Sequence, residues 1–106
     1  MTIQETEVWA NGVQIPVIDT AHNDDFFIYS VYLENAINRN SAIQLKTRYT
    51  VRMTEDTEGL YVSPFTNEAG QKEWVASTQF ESTHAREAFP CFDEPELKAE
   101  FVFTVY

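Results

Sequence analysis

Between Ile43 and Met53 the chain alternates with a period of two. Ile43, Leu45, Thr47, Tyr49, Val51 and Met53 fall on one side, and Gln44, Lys46, Arg48, Thr50 and Arg52 on the other. Successive side chains of a strand point to opposite faces, so this pattern predicts a strand with one buried and one wet face. Two shorter runs, Val8-Trp9-Ala10 and Val13-Gln14-Ile15, flank Asn11-Gly12. That dipeptide tolerates positive φ at both positions and predicts a hairpin turn of type I′. Pro16 puts the second strand of the hairpin at an edge or at its own end. Phe26 to Leu33 is a further strand candidate, as are Leu60 to Phe65 and Lys72 to Ser77 around the turn Thr66-Asn67-Glu68-Ala69-Gly70. The texture changes from Glu81 to Phe89, where Ser82 or Thr83 is placed to cap a short helix that Pro90 stops. From Lys98 to Tyr106 alternation returns, with Phe101, Phe103 and Val105 on one side, and the chain ends inside it as a cut strand would. Nine Val, six Ile and eleven Thr suit a pleated surface and reinforce the reading. The expectation is an all-β fold with one short helical turn near 82–89.

At 106 residues the chain has room for one domain, and 43% hydrophobic residues mark it as a folding sequence. Seven Lys and Arg against 17 Asp and Glu give a net charge of -10. A nucleic-acid binder needs a basic footprint, so that class is excluded, and adhesion to anionic membranes is disfavoured. The three cations of the alternating strand, Lys46, Arg48 and Arg52, read as a solvated face opposing the acidic remainder, with Thr54-Glu55-Asp56-Thr57-Glu58-Gly59 supplying partners. That acidic loop lacks EF-hand ligand spacing. A single cysteine, Cys91, rules out an intrachain disulfide, and there is no signal peptide, membrane span or Asn-x-Ser/Thr sequon. A domain of this size has little room for both a core and a deep cleft. The length therefore points to a binding module or to a part of something larger.

Candidate chemistry concentrates between residues 77 and 101. Gln79 and Glu81 stand at i and i+2, so on extended backbone both face one way; spacing alone reads them as two solvated polar residues. Phe80, Phe89 and Phe92 read as core or interface aromatics. Arg86 and Asp93 are suited to an ion pair pinning the turn from Pro90 to Pro95, the alternative being contact with a substrate. Cys91, preceded by Pro90 and followed by Phe92, reads as a buried, inert thiol; nothing indicates the orienting group that a Cys-His dyad with His84 would need. His84 and Glu87, at i and i+3, make half a metal site and read as a surface helical turn.

The stretch Ser77-Thr78-Gln79-Phe80-Glu81-Ser82-Thr83-His84-Ala85-Arg86-Glu87-Ala88-Phe89-Pro90-Cys91-Phe92-Asp93-Glu94-Pro95-Glu96-Leu97-Lys98-Ala99-Glu100-Phe101 closely resembles a signature of the M1 family of zinc aminopeptidases, near the end of their N-terminal domain. The pattern is Thr-Gln-Phe-Glu-x-x-x-Ala-Arg, then Ala-Phe-Pro-Cys-Phe-Asp-Glu-Pro, then Lys-Ala-x-Phe, and every defined position is matched. Upstream, Gly59-Leu60-Tyr61-x-Ser63 matches the family's Gly-[Leu/Phe]-Tyr-x-Ser strand. The resemblance is weak from about Thr6, strong from Leu45 onward, and most like the animal aminopeptidase N branch.

The resemblance implies that residues 1–106 are an incomplete antiparallel β-sandwich of the M1 N-terminal type. It implies that Glu81 pairs the free amino terminus of a peptide and that Gln79 contacts its first residue, while Arg86, Phe89, Pro90, Cys91, Phe92, Asp93, Glu94 and Pro95 are structural. An ammonium taken from water needs carboxylates around it. The family's catalytic zinc requires His-Glu-x-x-His and a downstream Glu, and a Gly-x-Met-Glu-Asn element supplies a second amine-binding Glu. Neither motif occurs among these residues, whose two histidines are His22 and His84. The chain is therefore expected to be inactive alone, to bind no stoichiometric zinc, and to have as partners peptide amino termini and a catalytic domain outside it, with no nucleic acid and no membrane insertion of its own. The family has cytosolic and membrane-anchored members; the resemblance favours a plasma-membrane ectoenzyme or an extracellular protein over a cytoplasmic one. Rival expectations are a stand-alone β-sandwich interaction module and an unrelated acidic β-domain.

Overall fold

Residues 1–105 are described by a computed structural model of the chain. Backbone contacts divide it into two compact units, Met1–Thr50 and Val51–Tyr106. The first is built from five strands: β1 (Thr2–Ala10), β2 (Val13–Ile15), β3 (Val17–Asn23), β4 (Ile28–Leu33) and β5 (Ile43–Thr50). They form an antiparallel sheet of order β2-β1-β5 and an antiparallel pair β3-β4. The Asn11-Gly12 turn closes β1 on β2 with φ of 50° and 81°, the left-handed pair that this dipeptide was expected to supply. Asn11 also ties the turn to the start of β5. Its backbone N–H donates to the Ala42 carbonyl at 2.8 Å, and its side-chain oxygen accepts from the Ala42 N–H at 3.0 Å. Pro16 follows the edge strand β2, as expected.

Strand β3 is absent from the sequence-based expectation, because Val17-Ile18-Asp19-Thr20-Ala21-His22-Asn23 shows no period. Pairing with β4, not patterning, makes it a strand, and the register slips between Val17 and Asp19. Strand β5 ends at Thr50, three residues before the alternation does. Its polar face is solvated, but the acids that answer it are on β1: Lys46 lies 3.2 Å from Glu7 and Arg48 3.8 Å from Glu5, each pair opposed across the ladder. The 54–59 loop does not supply these partners. The apolar face is open as well, with Leu45 54% and Ile43 60% exposed. Val8 of β1, opposite Leu45 on the same face, is nevertheless 4% exposed, and the Thr6 hydroxyl lies 3.3 Å from the Tyr29 hydroxyl of β4.

The second unit contains the hairpin β6 (Gly59–Thr66) and β7 (Lys72–Gln79), paired from Gly59 opposite Gln79 to Thr66 opposite Lys72. Asn67 organises its turn: the side-chain oxygen accepts from the N–H groups of Ala69 and Gln71, and the amide donates to Glu73 at 2.6 Å. A single helical turn, α1 (Ala85–Ala88), packs on β6 through Ala88, which is 7% exposed. Its N-cap is His84, without a side-chain cap, so neither Ser82 nor Thr83 takes that role. The helix stops at Phe89, which is extended as the residue before a proline must be.

Residues 98–105 form no strand. A strand requires a partner edge; the rings of this segment stack instead, and Tyr106 lies outside the described residues. The class is nevertheless the expected one: all-β, sandwich-like, antiparallel, with one short helical turn in the predicted stretch. Among the described residues no helix is long and apolar enough to cross a membrane.

Candidate recognition site

The end of β7 carries the candidate residues. Gln79 is the last residue of the strand, opposite Gly59, and both Gln79 and Glu81 are exposed. Between them the Phe80 ring turns away from solvent and meets Phe89 edge-on at 5.6 Å; Phe89 meets Phe101 at 5.8 Å, and Phe101 stacks on Phe103 at 6.0 Å. Anchoring Phe80 leaves its two polar neighbours outside. Glu81 makes no ion pair or side-chain hydrogen bond among the described residues, so its carboxylate is available to an external cation. The aromatic rings border an apolar hollow of about 430 Å³ whose wall also includes Cys91, Pro95 and Leu97.

Arg86 and Asp93 form the expected ion pair. The Arg86 Nε–H donates to Asp93 Oδ2 at 2.9 Å and the Arg86 backbone N–H to the same oxygen at 3.0 Å. Asp93 is 8% exposed and Arg86 30%, so the pair is largely out of water and fixes α1 to the Pro90–Pro95 turn. The Glu94 carbonyl accepts from the Leu97 N–H at 2.9 Å, continuing the chain in a second turn. Phe80 and Phe89 belong to the aromatic cluster, whereas Phe92 is 82% exposed and outside any core of this chain. Cys91 is exposed, not buried. The pinned turn holds it on the rim of the hollow instead of beneath it. Its thiol pKa is nevertheless raised, first by lost solvation and then by the Asp93 carboxylate, against Arg86. A raised pKa disfavours the nucleophilic thiolate, and no His84–Cys91 hydrogen bond forms among the described residues.

His84 and Glu87 do pair across the helical turn, Nδ1 to Oε1 at 2.8 Å. The structure adds a third member that sequence spacing missed: Glu58 Oε2 lies 3.7 Å from the same Nδ1. Glu58 precedes His84 by 26 residues, and the β6–β7 hairpin, whose ladder closes with Gly59 opposite Gln79, brings the two segments together. The His84 pKa is raised, chiefly by the hydrogen bond to Glu87 and, after an opposing loss of solvation, by the charges of Glu58, Glu87 and Asp93.

The exposed Gln79 and Glu81 thus stand at the end of β7, ahead of the ion-paired turn bounded by Pro90 and Pro95. Residues 2–106 match the family model of the Peptidase M1 N-terminal domain. The chain is 36% identical to puromycin-sensitive aminopeptidase of Caenorhabditis elegans, covering 83% of the chain and 9% of that protein. It is 36% identical to aminopeptidase N of Canis lupus familiaris, with 89% and 10% covered, and 35% identical to membrane alanyl aminopeptidase of Heliothis virescens, with 99% and 11% covered. The chain belongs to the M1 aminopeptidase family and corresponds to its N-terminal domain. It spans about a tenth of the length of these curated relatives.

The family's catalytic zinc does not fit the residues present. His22 and His84 begin no His-Glu-x-x-His motif.

Proposed function

We propose that this chain is an N-terminal portion of a zinc-dependent aminopeptidase and that it helps to recognise the free amino terminus of a peptide, with Glu81 pairing the ammonium and Gln79 contacting the first residue. The observation that carries this reading is the exposed, unpaired carboxylate of Glu81 within a stretch matching the M1 signature at every defined position. The β7 strand and the Phe80 anchor hold it there, and Arg86–Asp93 fixes the segment that follows. No step of peptide hydrolysis is assigned to these residues. They bind and orient, and the zinc belongs to the catalytic part of the parent enzyme.

Large exposed apolar side chains favour a part of something larger over a free-standing module. Val102 is 95% exposed, Val105 92% and Phe103 74%, and such a surface is normally covered by another element. The name of the Heliothis relative places that protein at a membrane, and a membrane-anchored or extracellular parent is the corresponding reading here.

The test is made in the intact enzyme that contains this segment. A hydrogen bond to a charged group contributes about 1.5–3 kcal/mol, so E81Q should lower kcat/KM for an aminoacyl-p-nitroanilide by roughly 10- to 150-fold. Q79A should cost roughly tenfold or less. Full activity in E81Q would overturn the assignment of Glu81. The isolated chain should release no p-nitroaniline, and chelator-sensitive turnover by the pure chain would overturn the division of labour.

A further inference from the structure

We propose that Glu58, His84 and Glu87 form a three-ligand site for a divalent cation of the zinc class, separate from the family's catalytic metal and from the Glu81 surface. One ligand atom from each residue lies within 4.8 Å of the others. The two distances to His84 Nδ1 are 2.8 Å from Glu87 and 3.7 Å from Glu58. Ligands bonded at about 2.0–2.1 Å in a tetrahedron stand about 3.3 Å apart. The two distances to the imidazole bracket that value, and the two carboxylates lie within 4.8 Å of each other.

Charge points the same way. Neither Glu58 nor Glu87 has a Lys or Arg partner among the described ion pairs, and the nearby Arg86 is taken by Asp93. Two carboxylates thus converge on one imidazole with no Lys or Arg paired to them among the described residues. The scaffold holds them in place. Gly59 is so close to Glu87 that a Cβ there would stand 2.7 Å from the Glu87 Cβ, so Glu87 rests on the β6 backbone while its carboxylate faces His84. The partial exposure of all three side chains leaves room for water to complete the coordination. One imidazole nitrogen with two carboxylate oxygens suits Zn²⁺ or Co²⁺; Ca²⁺ and Mg²⁺ prefer more ligands, all of them oxygen. This departs from the expectation that the chain holds no metal, which saw His84 and Glu87 without Glu58.

The experiment titrates Zn²⁺ and Co²⁺ into the 106-residue chain at a fixed pH of about 7.5, because metal binding releases ligand protons. It is carried out in a C91S background to remove the thiol. Calorimetry should show one saturable site, and Co²⁺ should give a visible absorption band that Zn²⁺ displaces and Ca²⁺ does not. H84N should weaken binding at least about 100-fold and E58Q about tenfold, more than or equal to the usual effect of losing an outer-shell partner. Glu58 sits on an exposed loop, so E58Q tests the site without touching α1. H22N, which removes the separate His22–Asp24 pair, should change nothing. No saturation below about 1 mM, displacement by Ca²⁺, or loss of binding in H22N instead of H84N would overturn the proposal. The Glu81 assignment, tested by kinetics of the intact enzyme, stands or falls separately.

Discussion

The two units of this chain are held together by different means. In Met1–Thr50 the work is done by backbone ladders: β1 is paired on both sides, and the charges of Lys46, Arg48, Glu5 and Glu7 lie across the ladder in water. From Val51 onward a lone hairpin is supplemented by side-chain clamps, namely Asn67 in the turn, Arg86–Asp93 behind α1, His84 between two glutamates, and a chain of phenylalanine rings. The first arrangement tolerates change at almost any exposed position. The second depends on a few residues with buried or converging charge, and these lie close in the chain to Gln79 and Glu81. The difference teaches that the signature is partly mechanical: Arg86, Phe89 and Asp93 hold the segment that follows Glu81, the residue proposed to read the amino terminus.

The sharpest way to break this comparison is to remove Arg86. Asp93, 8% exposed, would then be left as a buried carboxylate without its cation. Losing one partner of a buried pair costs about 3–5 kcal/mol; because Arg86 is partly exposed, R86A is expected at the low end, near 3 kcal/mol by denaturant unfolding. A loss below about 1 kcal/mol would show that the clamp is a surface pair.

Two of the three glycines sharpen the comparison further. Gly12 and Gly59 both have positive φ, 81° and 61°. A Cβ at Gly12 meets nothing within 4 Å, whereas at Gly59 it meets the Glu87 Cβ at 2.7 Å and the His84 carbonyl oxygen at 3.3 Å. G12A should therefore cost only the left-handed strain, about 1 kcal/mol, and G59A about 2–3 kcal/mol. Equal losses in thermal unfolding would contradict the contrast between an open and a packed turn.

At the small end, K46A removes a cross-strand pair whose lysine is 74% exposed. Exposed pairs contribute about 0.2–1 kcal/mol, so the shift should be within that range and should shrink in high salt. A larger, salt-resistant loss would mean that the ladder face is less solvated than its exposure indicates.

What could be read in the sequence follows from how local its cause is. The Asn11-Gly12 turn, the β5 alternation, the stop at Pro90 and the Arg86–Asp93 pair each arise from neighbouring residues or from a short fixed spacing, and the structure contains them. Strand β3 could not be read, because its seven residues carry no period and pairing with β4 decides their conformation. The strand expected over 98–106 failed for the converse reason: alternation without a partner edge does not make a strand. Cys91 and Phe92 were placed inside by their apolar character, but the pinned turn puts both outside. Gln79 and Glu81 were legible as candidates only through the M1 signature, since two exposed polar residues at i and i+2 have no signal of their own. Glu58 was invisible because its role depends on a hairpin register, not on spacing.

The central claim is that Glu81 reads a free amino terminus, and one ratio tests it most directly. In the intact enzyme, the inhibition constant of a dipeptide with a free amine is compared with that of the same dipeptide N-acetylated, in wild type and in E81Q. Loss of a charge-assisted contact should compress the preference for the free amine by roughly tenfold or more in E81Q, with the acetylated ligand bound almost unchanged. An undiminished preference in E81Q, with the protein folded, would contradict the account.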